Sequence, residues 1–424
     1  MESATYSIQS SGEGRKEMKD MVASEDDKQT ETLTDIQLDS DTLLSVRGLK
    51  TSFYTYEGVV KALDYVQFEL KRGDTLAIVG ETGCGKSVTA KSILRLVDSP
   101  GKIEEGQIFF QDVNELGKAE TVDLLKLTED EMRKIRGNKI AIVFQDPATY
   151  PNPVFRIGDQ IAEVIVLHQD LSRDVLEMKI ERLETTLQTN PDADNVEEIE
   201  IRIEEYRSML DSPPPPSKNE IKEAAKRRTI ETLNLVRMPS AAQAFNQYPH
   251  ELSGGMRQRA LIAMALSCNP RILIADEATT ALDVTVQAQV LKLLNELKSE
   301  LDASIIIITH DLGVVAETCT RVAVMYAGVV VEYTSTDELF SDPIHPYTSG
   351  LLRAIPKISE KVDNLLLISG TVPNLIHPPS GCRFHPRCEF ATEICKEQRP
   401  PREEIKPGHW IECHHPQGSM SGRN

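Results

Sequence analysis

The 424-residue chain has no uninterrupted apolar run of about 18 residues, so no segment is expected to span a membrane. The opening "MESATYSIQSSGEGRKEMKD" has no apolar stretch of the kind a secretory leader needs, so export is not expected. An excess of basic residues is also missing. The net charge is −19, which argues against a nucleic-acid footprint over the surface. That charge is unevenly placed. Residues 1–41 hold eleven acids and four bases, and residues 169–220 hold fourteen acids and six bases, so the two segments carry most of it. Finally, the seven cysteines include no CxxC pair. In a reducing compartment their clustering near the end suggests metal before disulfide.

What is present divides into segments. Residues 1–41 are rich in Ser, Thr, Asp and Glu and read as a disordered acidic tail. "LLSVRGLKTSFYTYEG" alternates like a strand. The runs "DTLAIVG", "KIAIVFQ", "RILIAD", "SIIIITH" and "VAVMYAG" are too continuously apolar for half-exposed strands. They predict a largely parallel sheet buried on both faces, with helices between the strands. Leu176, Ile180, Leu183 and Leu187 form one apolar seam, and Ile199, Ile203, Tyr206 and Leu210 form another. "TNPDADN" between them is turn chemistry, and Asn195 with Glu198 has the spacing of a capping box. An antiparallel helical hairpin follows, stopped by the prolines of "SPPPP", and the insertion is expected to occupy 169–220. Its seams are expected to pack on each other and not on the rest of the protein.

"GETGCGKS" at 80–87 follows a predicted strand and opens a predicted helix. Gly80, Gly83 and Gly85 let backbone N–H groups converge on phosphate oxygens, with Glu81, Thr82, Cys84 and the following Val88 completing the loop. Lys86 is placed for the β- and γ-phosphates and Ser87 for Mg²⁺. "RILIADE" then ends a buried strand on two acids. Adjacent carboxylates there call for a cation, which assigns Asp276 to Mg²⁺ and leaves Glu277 as the general base for an attacking water. "ELSGGMRQR" starts another helix with Ser253, Gly254 and Gly255, a second phosphate-contacting surface in a chain that already has one. Cys84, at the start of a helix and in an anion-binding loop, is expected to have a lowered thiol pKa.

This ordered set resembles the ABC ATPases, in which the signature of each subunit closes over nucleotide held by the other. The resemblance implies Gln145 of "IVFQDP" as a metal-contacting Q-loop residue, Asp283 of "TALD" as the D-loop and His310 of "THD" as a γ-phosphate contact. An aromatic stacks on adenine in that family, and Tyr56 is favoured here over Phe53 and Tyr54. "GKSVTAKSIL", "IVFQDPATYPNPVF", "YPHELSGGMRQR", "THDLGVVAE", "VMYAGVVVE" and "HPYTSGLLRAIP" are similar to the oligopeptide/dipeptide importer ATPases, and to the first of that importer's two paired ATPases. Ala278 departs from the proline usual there.

Cys382, Cys388, Cys395 and Cys413 are spaced C-x5-C-x6-C-x17-C, and four thiolates suit zinc or an iron–sulfur cluster. Some members of the resembled family carry a [4Fe–4S] cluster in this region, which makes that the favoured occupant and a staple for a small tail domain. Cys84, Cys268 and Cys319 read as small loop or core residues.

The expected fold is therefore α/β. It has a P-loop NTPase core of the ABC-ATPase type over 42–340, with an antiparallel β segment, a helical subdomain and the helical-hairpin insertion. A small cysteine-bearing domain over 341–424 is expected to form a core separate from the phosphate loop. The expected activity is ATP hydrolysis driving peptide import with Mg²⁺ as cofactor. The expected partners are a second, related ATPase subunit, two transmembrane permease subunits and, indirectly, an extracytoplasmic solute-binding protein. The expected location is the cytoplasmic face of the cell membrane. Nickel or another small solute is the alternative cargo. An ABC ATPase acting on DNA or ribosomes is the rival from another class.

Overall fold

The computed structural model describes residues 38–113, 119–146, 149–190, 195–278, 284–354 and 368–418. The expected tail lies almost wholly outside the described residues, and so does Asp283. From Asp39 onward the chain forms one compact unit.

Two sheets build it. Strands β1 (Thr42–Thr55), β2 (Gly58–Lys71), β4 (Gly101–Val113) and β5 (Ala119–Asp123) make an antiparallel sheet in the order β2-β1-β4-β5. The larger sheet begins with β3 (Thr75–Val79), β6 (Ile140–Val143), β7 (Ile272–Asp276), β8 (Ser304–Thr309) and β9 (Arg321–Tyr326), all parallel. The apolar runs are continuous because alternate residues enter different cores. Leu76 and Ile78 of β3, Ile272 and Ile274 of β7, and Ile306 and Ile308 of β8 face the antiparallel sheet. Ala77, Val79, Leu273, Ala275, Ile305 and Ile307 face the helices. With both faces covered, no position can be polar without a buried partner.

Helices α1 (Lys86–Ile93) and α2 (Glu129–Ile135) join the core that faces the antiparallel sheet, and on the other side lie α3 (Ile157–His168), α4 (Ser172–Thr189), α5 (Val196–Ser208), α6 (Lys218–Leu235), α7 (Ala241–Ala244), α8 (Gly254–Leu266), α9 (Val284–Leu301) and α10 (Leu312–Thr318). Helices α4 and α5 are the expected hairpin. Ile180, Ile199 and Ile203 form its small core with Leu183, Leu187, Tyr206 and Leu210. Two expectations are corrected. Leu171 and Val175, at the foot of α4, belong to the main core, so the arm is not self-contained from 169. Asn195 does cap α5 in position, but its side chain accepts no capping hydrogen bond, so the capping box does not form. Glu198 is left to act only as an acid in the first turn.

The C-terminal segment departs further from expectation. Strands β10 (Val329–Ser335), β11 (Arg402–Lys406) and β12 (His409–Glu412) extend the larger sheet antiparallel, in the order β11-β12-β10-β9-β3-β8-β7-β6. Helix α11 (Thr336–Ser341) packs against β9 and β10, and α12 (Pro346–Arg353) and α13 (Glu393–Glu397) complete the segment. Buried Glu332 accepts from Ile344 N and His345 N at 3.0 Å and pairs with His409 Nε2 at 2.9 Å. Arg383 and Arg399 both reach Asp64 on β2, at 3.0 and 3.2 Å. Phe384 and Tyr347 sit in the main core. The segment therefore shares the core of the phosphate loop and does not form one of its own.

Candidate functional site: a phosphate loop facing paired acids

Strand β3 delivers residues 80–87 to the start of α1. Gly80 has φ +151°, and a Cβ there would lie 2.1 Å from Met325 O. Gly85, at φ +104°, caps α1 with a Cβ position 2.8 Å from Ala62 O. These two glycines allow the loop to press against β2 and β9. Thr82 and Gly83 lie exposed at its mouth. Val88 is half-buried on α1 and packs against the core facing the antiparallel sheet. Buried Lys86 bends back over the loop, its Nζ donating to Gly80 O at 2.8 Å and Glu81 O at 3.2 Å.

Cys84 is also buried, and its thiol is a correction. Burial pushes its pKa up, and the nearby Lys86 charge offsets this only in part, so the thiol is not activated.

Strand β7 brings the two acids to this loop. Ser87 Oγ donates to Asp276 Oδ1 at 2.9 Å. Burial raises the Asp276 pKa, that hydrogen bond opposes the rise, and the adjacent Glu277 charge adds to it. A hydroxyl and a buried, destabilised carboxylate side by side are the donor chemistry that suits a hard divalent cation. Glu277 lies at φ +46°, in the left-handed region, with its N–H tied to Ile308 O at 2.9 Å. Gln145 Nε2 donates to its Oε2 at 2.7 Å. Lys86 Nζ and His310 Nδ1 lie 4.0 and 3.6 Å from its Oε1. Gln145 thus faces Glu277 through its amide nitrogen, which leaves its Oε1 as the atom with which it could contact a metal.

The remaining expected residues stand apart from this group. Ser253 caps α8, accepting from Met256 N at 3.3 Å, and with Gly254 it is exposed. Gly255 follows, with Val286 3.1 Å from a Cβ position. Tyr56 sits fully exposed at the β1–β2 turn, while Tyr54 is bonded to Glu104 at 2.5 Å and Phe53 lies close over Gly101.

Cys382, Cys388, Cys395 and Cys413 are free thiols drawn into one neighbourhood. Burial, and behind it the mutual repulsion of the four, pushes Cys413 up to about 12. Cys382 is pushed up to about 11 chiefly by burial. Among the described residues, no three or more His, Cys, Asp or Glu side chains are arranged to hold a metal ion. Cys268 and Cys319 are buried, as expected of small core residues.

Two residues at the loop were not singled out from sequence. Tyr347 Oη accepts from Glu81 N at 3.0 Å, and Arg387 forms a bidentate pair with the Glu81 carboxylate at 2.6 and 3.0 Å. The only available signal was that Arg387 directly precedes Cys388.

A phosphate loop at the end of a parallel strand, facing paired acids at the end of the next strand but one, defines a P-loop nucleoside triphosphatase. Residues 63–280 match the ABC transporter family, and residues 331–395 match the oligopeptide/dipeptide transporter C-terminal region. A probable peptide ABC transporter ATP-binding protein, y4tR, of Sinorhizobium fredii is 44% identical over 88% of this chain and 95% of its own. The oligopeptide transport ATP-binding protein OppD of Bacillus subtilis is 44% identical over 87% of each chain. OppD of Escherichia coli is 41% identical over 92% of this chain and 97% of its own. The dimeric structure of MJ0796, a bacterial ABC transporter cassette, shares the fold with TM-score 0.51 at 23% identity, covering 69% of this chain and 99% of that one. The chain belongs to the ABC transporter family, as an ATP-binding, ATP-hydrolysing subunit of the oligopeptide/dipeptide importer type. No described helix is long and apolar enough to cross a membrane. Membrane permease partners and pairing of cassettes go with that membership.

Proposed function

We propose that this chain hydrolyses ATP at the 80–87 loop to drive uptake of peptides, working on the cytoplasmic face of the cell membrane. Its partners in this reading are a related but distinct ATPase subunit, two permease subunits and, through them, an extracytoplasmic binding protein. The observation that carries the reading is the Glu277 carboxylate, held by Gln145 and flanked by Lys86 and His310 beside the Ser87–Asp276 pair. The loop amides and Lys86 bind the β- and γ-phosphates. Ser87 and Asp276 would hold Mg²⁺, which supplies charge neutralisation at the phosphates. Glu277 takes a proton from the attacking water, Gln145 orients that carboxylate, and His310 contacts the γ-phosphate. Tyr56 is the aromatic left free to stack on adenine. Exposed Ser253 and Gly254, with half-buried Gly255, serve the partner's nucleotide, and Asp283 belongs to the same contact between subunits.

Glu277→Gln tests this. ATP binding should persist while turnover falls by about 10²–10⁴-fold. Hydrolysis at the normal rate would remove Glu277 from its role.

For the four C-terminal thiols the reading is a [4Fe–4S] cluster, with zinc as the alternative. Its support is the donor set, four free thiols in one neighbourhood, and not their arrangement. Metal analysis of protein prepared without oxygen decides it: about four irons or about one zinc per chain. Neither metal would end this reading.

A further inference from the structure

The phosphate loop contains an acid, Glu81, where an unneutralised carboxylate would repel the phosphates it is built to hold. Arg387 answers that charge. Its side chain is 5% exposed, and its N–H groups all find acceptors. Nη1 donates to Glu81 Oε2 at 2.6 Å and Tyr326 Oη at 3.4 Å. Nη2 donates to Glu81 Oε1 at 3.0 Å and Ile368 O at 3.3 Å, and Nε donates to Ser369 O at 2.9 Å. A guanidinium satisfied on every donor is fixed in direction, and its bidentate grip fixes the carboxylate plane in turn. The same residue is gripped at its backbone. Tyr347 Oη accepts from Glu81 N–H, while Glu81 O accepts from Cys84 N at 3.3 Å and from Lys86 Nζ. Residue 81 is therefore held on one side by the C-terminal segment and on the other by the loop's own lysine.

We propose that Arg387 is a positioning residue of the phosphate loop: it neutralises and pins Glu81, so that the loop presents amides and not a free carboxylate to ATP. This rests on the 80–87 loop being the nucleotide site. The cysteine-bearing segment is then part of the nucleotide site through the residue next to Cys388, and ATP affinity depends on the order of that segment.

The test uses the full chain with Mg²⁺-ATP, reading the dissociation constant by calorimetry and the melting temperature without nucleotide on the purified chain, and turnover at saturating ATP on the chain assembled with its partner ATPase. Arg387→Gln should raise the ATP dissociation constant about tenfold, with turnover at saturation falling less than about threefold. Arg387→Lys, which keeps the charge and loses the fork, should fall between wild type and Arg387→Gln. This milder variant carries the test if Arg387→Gln does not fold. Pairing Arg387→Gln with Glu81→Gln should recover part of the lost affinity, since no bare carboxylate remains. ATP affinity unchanged in Arg387→Gln and Arg387→Lys overturns the proposal. So does a double variant no better than Arg387→Gln alone, which would make Arg387 only a structural anchor. Lys86→Ala separates the two readings. If it also binds ATP normally, the nucleotide site itself is misplaced.

Discussion

Beyond its foot, the helical arm meets the rest of the chain through charges on one face of α6. Lys179 pairs with Glu220, Arg182 with Glu223, and Glu181 with Arg227, and all of these side chains are at least one-third exposed. The C-terminal segment meets the core through buried groups: Tyr347 and Phe384 packed on Tyr326, Glu332 closed over by His409, and Arg387 on Glu81. Exposed pairs contribute about 0–1 kcal/mol each, whereas removing one partner of a buried set costs about 3–5 kcal/mol. Both segments are additions to a nucleotide-binding core, but only one of them is fused to it. Length and charge do not reveal which. What matters is where the apolar residues of each addition go. The arm turns its own inward on a seam of three buried isoleucines, and the C-terminal segment spends its aromatics on the common core.

Three experiments press on that contrast. The largest effect is expected from Tyr347→Ala. The ring is fully buried, with centroids 4.7 Å from Tyr326 and 5.3 Å from Phe384. Its removal should cost about 3–5 kcal/mol in urea unfolding and weaken ATP binding as well, because Glu81 N–H loses its acceptor. Retained stability with normal ATP affinity would mean that the segment is no more fused than the arm.

Acid should come next, and it should act through the C-terminal segment. Burial holds His345 down at about 4, against the pull of the Glu332 charge, and its Nδ1 accepts from Tyr347 N at 3.0 Å. In the unfolded chain a histidine takes its proton near 6.5. Between those values only the unfolded state binds the extra proton, so this contribution to stability is complete above about pH 7 and is lost as pH falls toward 4. Going from pH 7.5 to 5.5 should cost the wild type about 1.4 kcal/mol relative to His345→Gln, measured by paired denaturation curves. Parallel curves would show that His345 is not held neutral.

The smallest effect should come from the arm. Replacing residues 179–212 by a short Gly/Ser linker leaves Leu171 and Val175 in the main core. Loop closure costs little extra for added length, so ATP affinity should stay within about twofold and the protein should remain folded. A large loss of affinity by calorimetry would show that the arm, too, is tied to the site.

Much of this was legible in the residues. Apolar runs with turn chemistry at their ends located the five parallel strands, because strands buried on both faces leave no other pattern. The arm's seams were legible for a similar reason, since two elements that pack only on each other carry their whole partnership in their own spacing. The paired acids, the phosphate loop and the helix opened by Ser253 were read from fixed local geometry. What stayed hidden was non-local. "REEIK" and "HWIE" are too short and too polar to announce themselves as strands, yet they extend the main sheet through the pairing of β12 with β10. Arg387 looked like a neighbour of a cysteine, and its partner lies 306 residues away. Cys84 was misjudged because a helix start suggests an activated thiol, whereas burial decided its state.

The 306-residue separation between Glu81 and Arg387 also has a consequence in time. A ribosome adding about 5–20 residues per second releases Arg387 roughly 15–60 s after Glu81. Throughout that interval the loop carries its acid without the counter-charge, and the edge of β10 waits for β12. A nascent chain can form the parallel strands early, but it acquires the finished nucleotide site only when the stretch from Tyr347 to Glu412 has emerged. Prematurely terminated chains lacking that stretch should therefore expose an open sheet edge and compete poorly for nucleotide, which makes them ready substrates for proteolysis and poor competitors for assembly with a partner cassette.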